Sequence, residues 1–283
     1  MQDNEPLLRD ISDTALWAAV FRAREAERED ALFRDLLAKR LAGSRGPQIL
    51  DHVPHAAENS WSWIMRTYLF DRIISEQLLR GADMVLNLGA GLDARPYRMA
   101  LCPSLEWVEA DLPQIISYKE QLLAGEQPRC RLERVSIDLS DAAKRRQLLV
   151  RLSQRATRII VLTEGLLIYL TDEEVATLAG DLAGGIDSWV LDIASPALLK
   201  MMQRTTGEAA DAAGAPYQFG PVVGPDFFLP FGWGAAEVRS LFQAAIETGR
   251  VPPELASFKD IPEPPRPWES AVWAAVCRLQ RTA

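Results

Sequence analysis

From Ala82 onward the chain alternates short apolar runs with polar stretches of helical length, and this rhythm limits the fold more than any other feature. "MVLNL", "LEWVEAD", "RLERVSID", "RIIVLTE" and "SWVLDIA" are rich in aliphatic and β-branched residues, and each is bounded by polar or turn-forming residues. Between them lie segments of helical composition over about 93–102, 113–124, 141–156 and 172–184. Alternation of this kind builds a doubly wound, mostly parallel sheet, because each parallel connection has to cross a face of the sheet. Thr171 followed by Glu174 is a capping box that opens the helix at 172.

The flanks read differently. Residues 12–42 predict two helices, one with Leu16, Ala19, Val20 and Ala23 on a face, the other, "EDALFRDLLAKRLAG", with Leu32, Leu36, Leu37 and Leu41. Ser12 would cap the first and Gly43 would end the second. Residues 43–54 read as a loop and 56–80 as a helix ending before Gly81. After Ser195, "PALLKMMQRTTGEAADAAG" is helical, the Gly-, Pro- and aromatic-rich "APYQFGPVVGPDFFLPFGWG" is an ordered loop or cap, "AAEVRSLFQAAIETG" is another helix and "SAVWAAVCRLQR" is the last strand. The expectation is one domain over 1–283: a helical extension (1–81), a cofactor-binding core (82–195), and a cap with the end of the sheet (196–283).

A formal net charge of −8 argues against general nucleic-acid binding. Cys102, Cys130 and Cys277 are odd in number and far apart, giving neither a disulfide framework nor a zinc spacing. "MQDNEPLLRD" does not resemble a secretion signal, and the longest apolar stretch is interrupted by Thr163 and Glu164, so the expected compartment is the cytoplasm with no membrane partner. His52 and His55 are the only histidines and read as a solvated loop pair; no metal is expected. The oligomeric state is not legible.

Ligands of open α/β sheets bind at the carboxyl ends of the strands, so what each strand ends in matters. The first ends in Gly89-Ala90-Gly91, the second in Glu109-Ala110-Asp111, the third in Asp138-Leu139 and the fourth in Thr163-Glu164. Each acid alone could serve as a loop or helix cap. Three in succession beside a glycine turn suit a ligand with hydroxyls, an amine and a positive charge. A dinucleotide is one candidate: "GAGLDA" is G-x-G-x-x-A, and Asp111 lies 20 residues after Gly91. Against it, Asp93 follows the glycines almost at once, and Pro96 suits a helix that starts late. S-adenosylmethionine fits better, because it carries a sulfonium and no phosphate. The glycines would pass beside its methionine part, Asp111 would accept from the ribose diol, Asp138 from the adenine amine with Leu139 against the ring, and Glu164 would lie near the amino acid end.

"LNLGAGLDARPYR", "EADLPQIISYKEQLL", "TEGLLIYLTDEE" and "SDTALWAAVFRAREAE" resemble the leucine carboxyl methyltransferase family, in particular its bacterial O-methyltransferase branch, which includes polyketide carboxyl methyltransferases. "GPDFFLPFGW" resembles a late motif of the same branch. Ala94, Leu36 and Thr171 stand where the branch commonly has other residues. The resemblance implies a class I methyltransferase fold, Rossmann-like, with an N-terminal helical extension and a late cap insertion. It implies S-adenosylmethionine as cofactor, held by Gly89, Ala90, Gly91, Asp111, Asp138, Leu139 and Glu164. It also implies that Arg66, in "WIMRTYLFDRII", grips the cofactor's carboxylate. The expected activity is methyl transfer to an oxygen, first of all a carboxylate, of a small organic acceptor. An NAD-dependent oxidoreductase and a non-catalytic cofactor-binding protein are the alternatives. Trp61, Trp63 and Tyr169 are further candidates for the cavity wall, and Phe219, Phe227, Phe228, Phe231 and Trp233 form either a satellite core or an apolar acceptor wall.

Overall fold

In the computed structural model, which describes residues 12–50, 60–212 and 214–282, the alternation becomes a single twisted sheet. Four helices come first: α1 (Ser12–Ala26), α2 (Ala38–Ala42), α3 (Arg45–Leu50) and α4 (Ser60–Leu79). Then follow β1 (Met84–Leu88), α5 (Arg95–Arg98), β2 (Glu106–Asp111), α6 (Pro113–Leu122), β3 (Arg131–Ser136), α7 (Ala142–Ser153), β4 (Ile159–Thr163), α8 (Asp172–Leu182) and β5 (Ser188–Ala194). The chain continues through α9 (Pro196–Thr205), α10 (Gly207–Ala212), β6 (Trp233–Ser240), α11 (Leu241–Glu247) and β7 (Ala274–Arg281).

The strand order is β3-β2-β1-β4-β5-β7-β6. β1 to β5 pair in parallel, and β7 runs antiparallel between β5 and β6. The order reverses between β1 and β4, which opens a crevice at their carboxyl ends. The central strands β1, β4 and β5 are apolar at nearly every position because both faces are covered. Met84, Leu86 and Leu88 pack with Leu148, Leu178 and Leu182 of α7 and α8, whereas Val85 faces Leu69, Phe70 and Ile73 of α4. Thr171 and Glu174 form the expected capping box at the start of α8.

Four expectations need correction. The predicted second helix survives only as α2, because residues 27–37 fold back under tertiary charge contacts. The Asp35 carboxylate accepts from Arg22 Nε at 2.9 Å and from the Leu37 N–H at 3.2 Å, and Glu25 accepts from the Leu32 N–H at 2.7 Å. Leu36, placed on an apolar face by periodicity, is 81% exposed. The loop expected from residue 43 holds α3, closed by Ile49 and Leu50 against Leu16 and Val20. The helix expected over 93–102 shrinks to the four residues of α5. "AAEVRSLFQAAIETG" is half strand: helix-favouring Ala and Glu residues are drawn into β6 by pairing with β7, and only α11 is helical. His52 and His55 lie outside the described residues.

The late aromatic cluster belongs to the main core and not to a satellite one. Phe219, Phe228 and Trp233 are buried in the main core, where Trp189 meets Phe228 and Trp233 edge-on at 5.1 and 5.8 Å.

Candidate functional site

A cavity of about 1020 Å³ opens at the carboxyl ends of the strands, and Arg66, Gly89, Ala90, Gly91, Asp111, Asp138, Leu139 and Glu164 all line it. Trp61, Trp63, Tyr169 and Phe219 line it too, whereas Phe227, Phe228, Phe231 and Trp233 do not.

The glycine turn is shaped by backbone. Gly89 and Gly91 have φ of 66° and 47°, a region that L side chains rarely occupy. A Cβ on Gly89 would stand 3.0 Å from Leu166. The turn is tied to β2 by the Gly89 N–H donating to the Ala110 carbonyl at 2.9 Å and the Gly91 N–H donating to Asp111 Oδ2 at 2.6 Å. Asp111 Oδ1 accepts from the Leu112 N–H at 2.7 Å. A carboxylate oxygen has two acceptor positions, so each keeps one after these bonds. Burial raises the Asp111 pKa above its ordinary value, and the two backbone N–H groups oppose that only in part.

Asp138 is a different kind of acid. It is exposed, and its Oδ1 accepts from the Ser140 N–H at 2.9 Å; bonding to Ser140 holds its pKa below the ordinary value. The cap of α7 is Asp141, which accepts from the N–H groups of Ala143 and Lys144. Leu139 is partly buried against the core.

Glu164 sits between two guanidiniums, with Oε2 2.7 Å from Arg95 Nη1 and Oε1 3.3 Å from Arg66 Nε. Arg66 also reaches Asp192 at 3.4 Å and lies over the Trp63 ring, 4.5 Å from its centroid. Burial opposes the charge of Arg66, but Asp192 and Glu164 outweigh it and raise its pKa. Gly165 makes the approach possible: a Cβ there would stand 3.1 Å from both terminal nitrogens of Arg66. Its N–H donates to Asp192 Oδ1 at 2.6 Å. Burial pushes the Asp192 carboxyl up, against the pull of Arg66.

Asp93 lines the cavity, but its charge is already taken up by neighbouring groups and is not free to meet a ligand. It is buried, accepts from Asn87 Nδ2 at 2.9 Å and from the Arg95 N–H at 2.8 Å, and pairs with Arg95 Nη1 at 2.8 Å. Burial opposes its ionisation, yet Arg95, Lys119, Arg98 and Arg22 together hold it well below the usual carboxylate range. Arg95 is itself fully buried and pairs with Asp71 at 2.6 Å. Arg95, Asp71 and Asp192 were missed by sequence reasoning. The available signal was a charge inside an apolar run, as in "YLFDRII" and "SWVLDIA".

Trp61 and Trp63 point apart, as their spacing requires. Trp63 packs between Trp17 and Phe21 of α1 at 6.4 and 5.7 Å, and Trp61 meets Phe242 at 6.0 Å. Tyr169 stacks on Tyr217 with ring centroids 5.8 Å apart, and its hydroxyl shares a hydrogen bond with Thr14. Burial, then Tyr217, pushes its pKa up, so it stands in the cavity as a neutral phenol.

The model of the leucine carboxyl methyltransferase family matches residues 15–183, which carry the glycine turn, all the predicted acids and Arg66. The chain belongs to this family. Among relatives of this leucine carboxyl methyltransferase family member, a candidate S-adenosyl-L-methionine-dependent methyltransferase of Parafrankia is 33% identical over 181 residues, covering 60% of this chain and 58% of that protein. A Frankia alni protein of the same description is 28% identical over 267 residues, covering 85% and 89%. The chain spans only 58% and 62% of the Parafrankia relative and of one from Streptomyces coelicolor, less than two thirds of each. A structure described as a candidate methyltransferase from Thermobifida fusca superposes with a TM-score of 0.60 at 16% identity, covering 99% of this chain and 97% of that one. A family protein from Streptomyces avermitilis gives the same TM-score at 14% identity. The fold is thus the class I methyltransferase fold expected from the sequence.

Proposed function

We propose that the chain is an S-adenosylmethionine-dependent O-methyltransferase acting on a carboxylate of a small organic acceptor. The observation that carries this is the buried Asp111, locked to the glycine turn with one acceptor position free on each oxygen. That pair of acceptors fits the two hydroxyl donors of a ribose diol beside bare backbone. The methionine part would pass Gly89, Ala90 and Gly91, its carboxylate would take Arg66, and its ammonium would face Glu164. The adenine would lie by Leu139, with its amine toward Asp138. The local charge supports a cationic ligand: Asp71, Asp93, Glu164 and Asp192 stand against Arg66, Arg95 and Arg98.

A bound cofactor would supply an electrophilic methyl group to an acceptor oxygen, with its sulfur keeping the electron pair as a neutral thioether. A carboxylate is already ionised near pH 7 and needs no base. This suits the wall of the cavity, where the described lining residues include no histidine, lysine or cysteine. Tyr169 is held neutral, and Glu164 and Asp192 are engaged with Arg95, Arg66 and the Gly165 N–H. The chain's own contribution is then to orient the acceptor and exclude water.

The test is calorimetric titration with S-adenosylmethionine, S-adenosylhomocysteine and NAD, followed by a screen of carboxylic acids and phenols with methyl-labelled cofactor. Binding of the first two and label in methyl esters is expected. NAD binding with no response to S-adenosylmethionine refutes the cofactor; label in phenol ethers alone refutes the carboxylate.

A further inference from the structure

The cavity divides along the strand order. The proposed cofactor contacts come from β1, β2 and β4, from the turn after β3 and from α4. The other half is built on β5, β7 and β6, whose ends meet at the same rim: Ala194 pairs with Ala274, and Ser240 with Ala275. From that rim α9, the start of α11 and the segment 252–273 enclose the second half.

Its chemistry is one-sided. Met201, Phe258, Ile261 and Val272 line it yet remain 39–60% exposed, an apolar set at the mouth of a cavity. Among the described residues that line this half there is no lysine, arginine or histidine. Beyond Asp192 on β5, its charged lining side chains are Glu254 and Glu263, both exposed. Glu263 is held in place by Ser240, whose hydroxyl bonds its carboxylate.

We infer that the acceptor half takes acids with an extended apolar body and rejects those with a second anionic group at the far end. This deepens the acceptor reading above and rests on it. An apolar chain gains by leaving water along Met201, Phe258 and Ile261. A distal carboxylate or phosphate would approach Glu254 and Glu263 with no lining cation to meet it. A distal ammonium would meet those same carboxylates.

The experiment measures binding of four probes to the full chain saturated with S-adenosylhomocysteine, by calorimetry at low ionic strength, with ester formation from S-adenosylmethionine as a second readout. Decanoate and ω-aminodecanoate should bind within a fewfold of each other. Decanedioate should bind at least about tenfold more weakly than decanoate. Butanoate, which has the carboxylate without the chain, should bind roughly a hundredfold more weakly than decanoate. The double variant Glu254→Gln/Glu263→Gln should narrow the gap between decanedioate and decanoate, and 0.5 M salt should narrow it in the same direction. Decanedioate binding as tightly as decanoate overturns the inference while leaving the carboxylate reading in place, provided esters form. The predicted order in binding with no ester from any probe overturns the carboxylate reading, and with it the assignment of this half to a methyl acceptor, while the selectivity of the cavity against a second anion stands. Absence of binding by all four overturns both.

Discussion

Replacing Arg66 separates a cofactor contact from a structural charge. In the structure its guanidinium stands 3.3 Å from Glu164 and 3.4 Å from Asp192, long for bonds between charged groups. The same two acids have shorter partners, Arg95 at 2.7 Å and the Gly165 N–H at 2.6 Å. Arg66 is therefore the weaker claimant on both, and its remaining N–H groups can turn to an incoming carboxylate at little cost. Two parallel charge-assisted bonds in a partly enclosed site are worth about 2–3 kcal/mol together, so Arg66→Ala should weaken S-adenosylhomocysteine roughly 30- to 150-fold. Arg66→Lys keeps the charge without the fork and should lose about five- to thirtyfold. Calorimetry is the assay, with 5′-methylthioadenosine, which lacks the amino acid end, as the internal control. Its affinity should hardly change in either variant. Equal weakening of both ligands would mean that Arg66 holds Trp63 and the two acids in place and does not touch the cofactor.

Three further outcomes follow from the same geometry. In Asp111→Asn the amide nitrogen has to face the N–H of either Gly91 or Leu112, now 2.6 and 2.7 Å from a carboxylate oxygen, so 5′-methylthioadenosine should bind tenfold or more weakly by calorimetry, whereas Asp138→Asn, at an exposed acid, should change it a fewfold at most. Gly165→Ala should lower Tm by several degrees in a thermal scan and weaken S-adenosylhomocysteine but not 5′-methylthioadenosine, because the new Cβ meets Arg66 at 3.1 Å from a residue at φ 64°. Cofactor affinity should fall as pH drops through the raised pKa of Asp111: hydroxyl donors bind its ionised form, so binding is complete above that pKa, lost below it, and accompanied by proton release in between, measurable from the buffer dependence of the heat.

The sheet was legible because strands covered on both faces have to be apolar at nearly every position, and the glycine turn and Asp111 were legible because a turn and the next strand end stand at a fixed spacing. What could not be read was set by partners distant in the chain. Residues 29–43 carry good helical periodicity, yet Asp35 is recruited by Arg22 and the backbone bends to deliver it. β6 has helix-forming residues and becomes a strand because β7, about forty residues on, offers a ladder. Arg66 was singled out only through family resemblance, since its acids Glu164 and Asp192 come from β4 and β5 and nothing local to α4 announces them. Asp93 is illegible for a different reason: its partners Asn87 and Arg95 are close in sequence, but their side-chain directions are not written there.

The burial of Asp93 changes why a dinucleotide is disfavoured. An exposed, unpaired carboxylate in the turn would have repelled a pyrophosphate directly, but this one is buried and paired with Arg95. The obstacle is instead the absence of donors. After the glycines the chain does not enter a long helix; α5 has four residues, begins at Arg95 and carries Pro96 at its start, so no row of helical N–H groups faces the turn. The cations nearest the turn are already committed. Arg22 donates to Asp35 and to the Leu92 carbonyl, Arg95 to Asp71 and Asp93 while pairing with Glu164, and Arg98 to Asp71. Beyond Arg66, a pyrophosphate would have to break buried pairs to gain a second cation, whereas a sulfonium meets a rim where Asp111 and Asp138 add to acids that already outnumber their cations. Charge at this site therefore selects against phosphate through what the arginines are doing, and a variant that frees one of them, such as Asp71→Asn, should raise affinity for phosphorylated adenosines relative to S-adenosylhomocysteine; an unchanged ratio in competitive titration would show that turn geometry alone makes the selection.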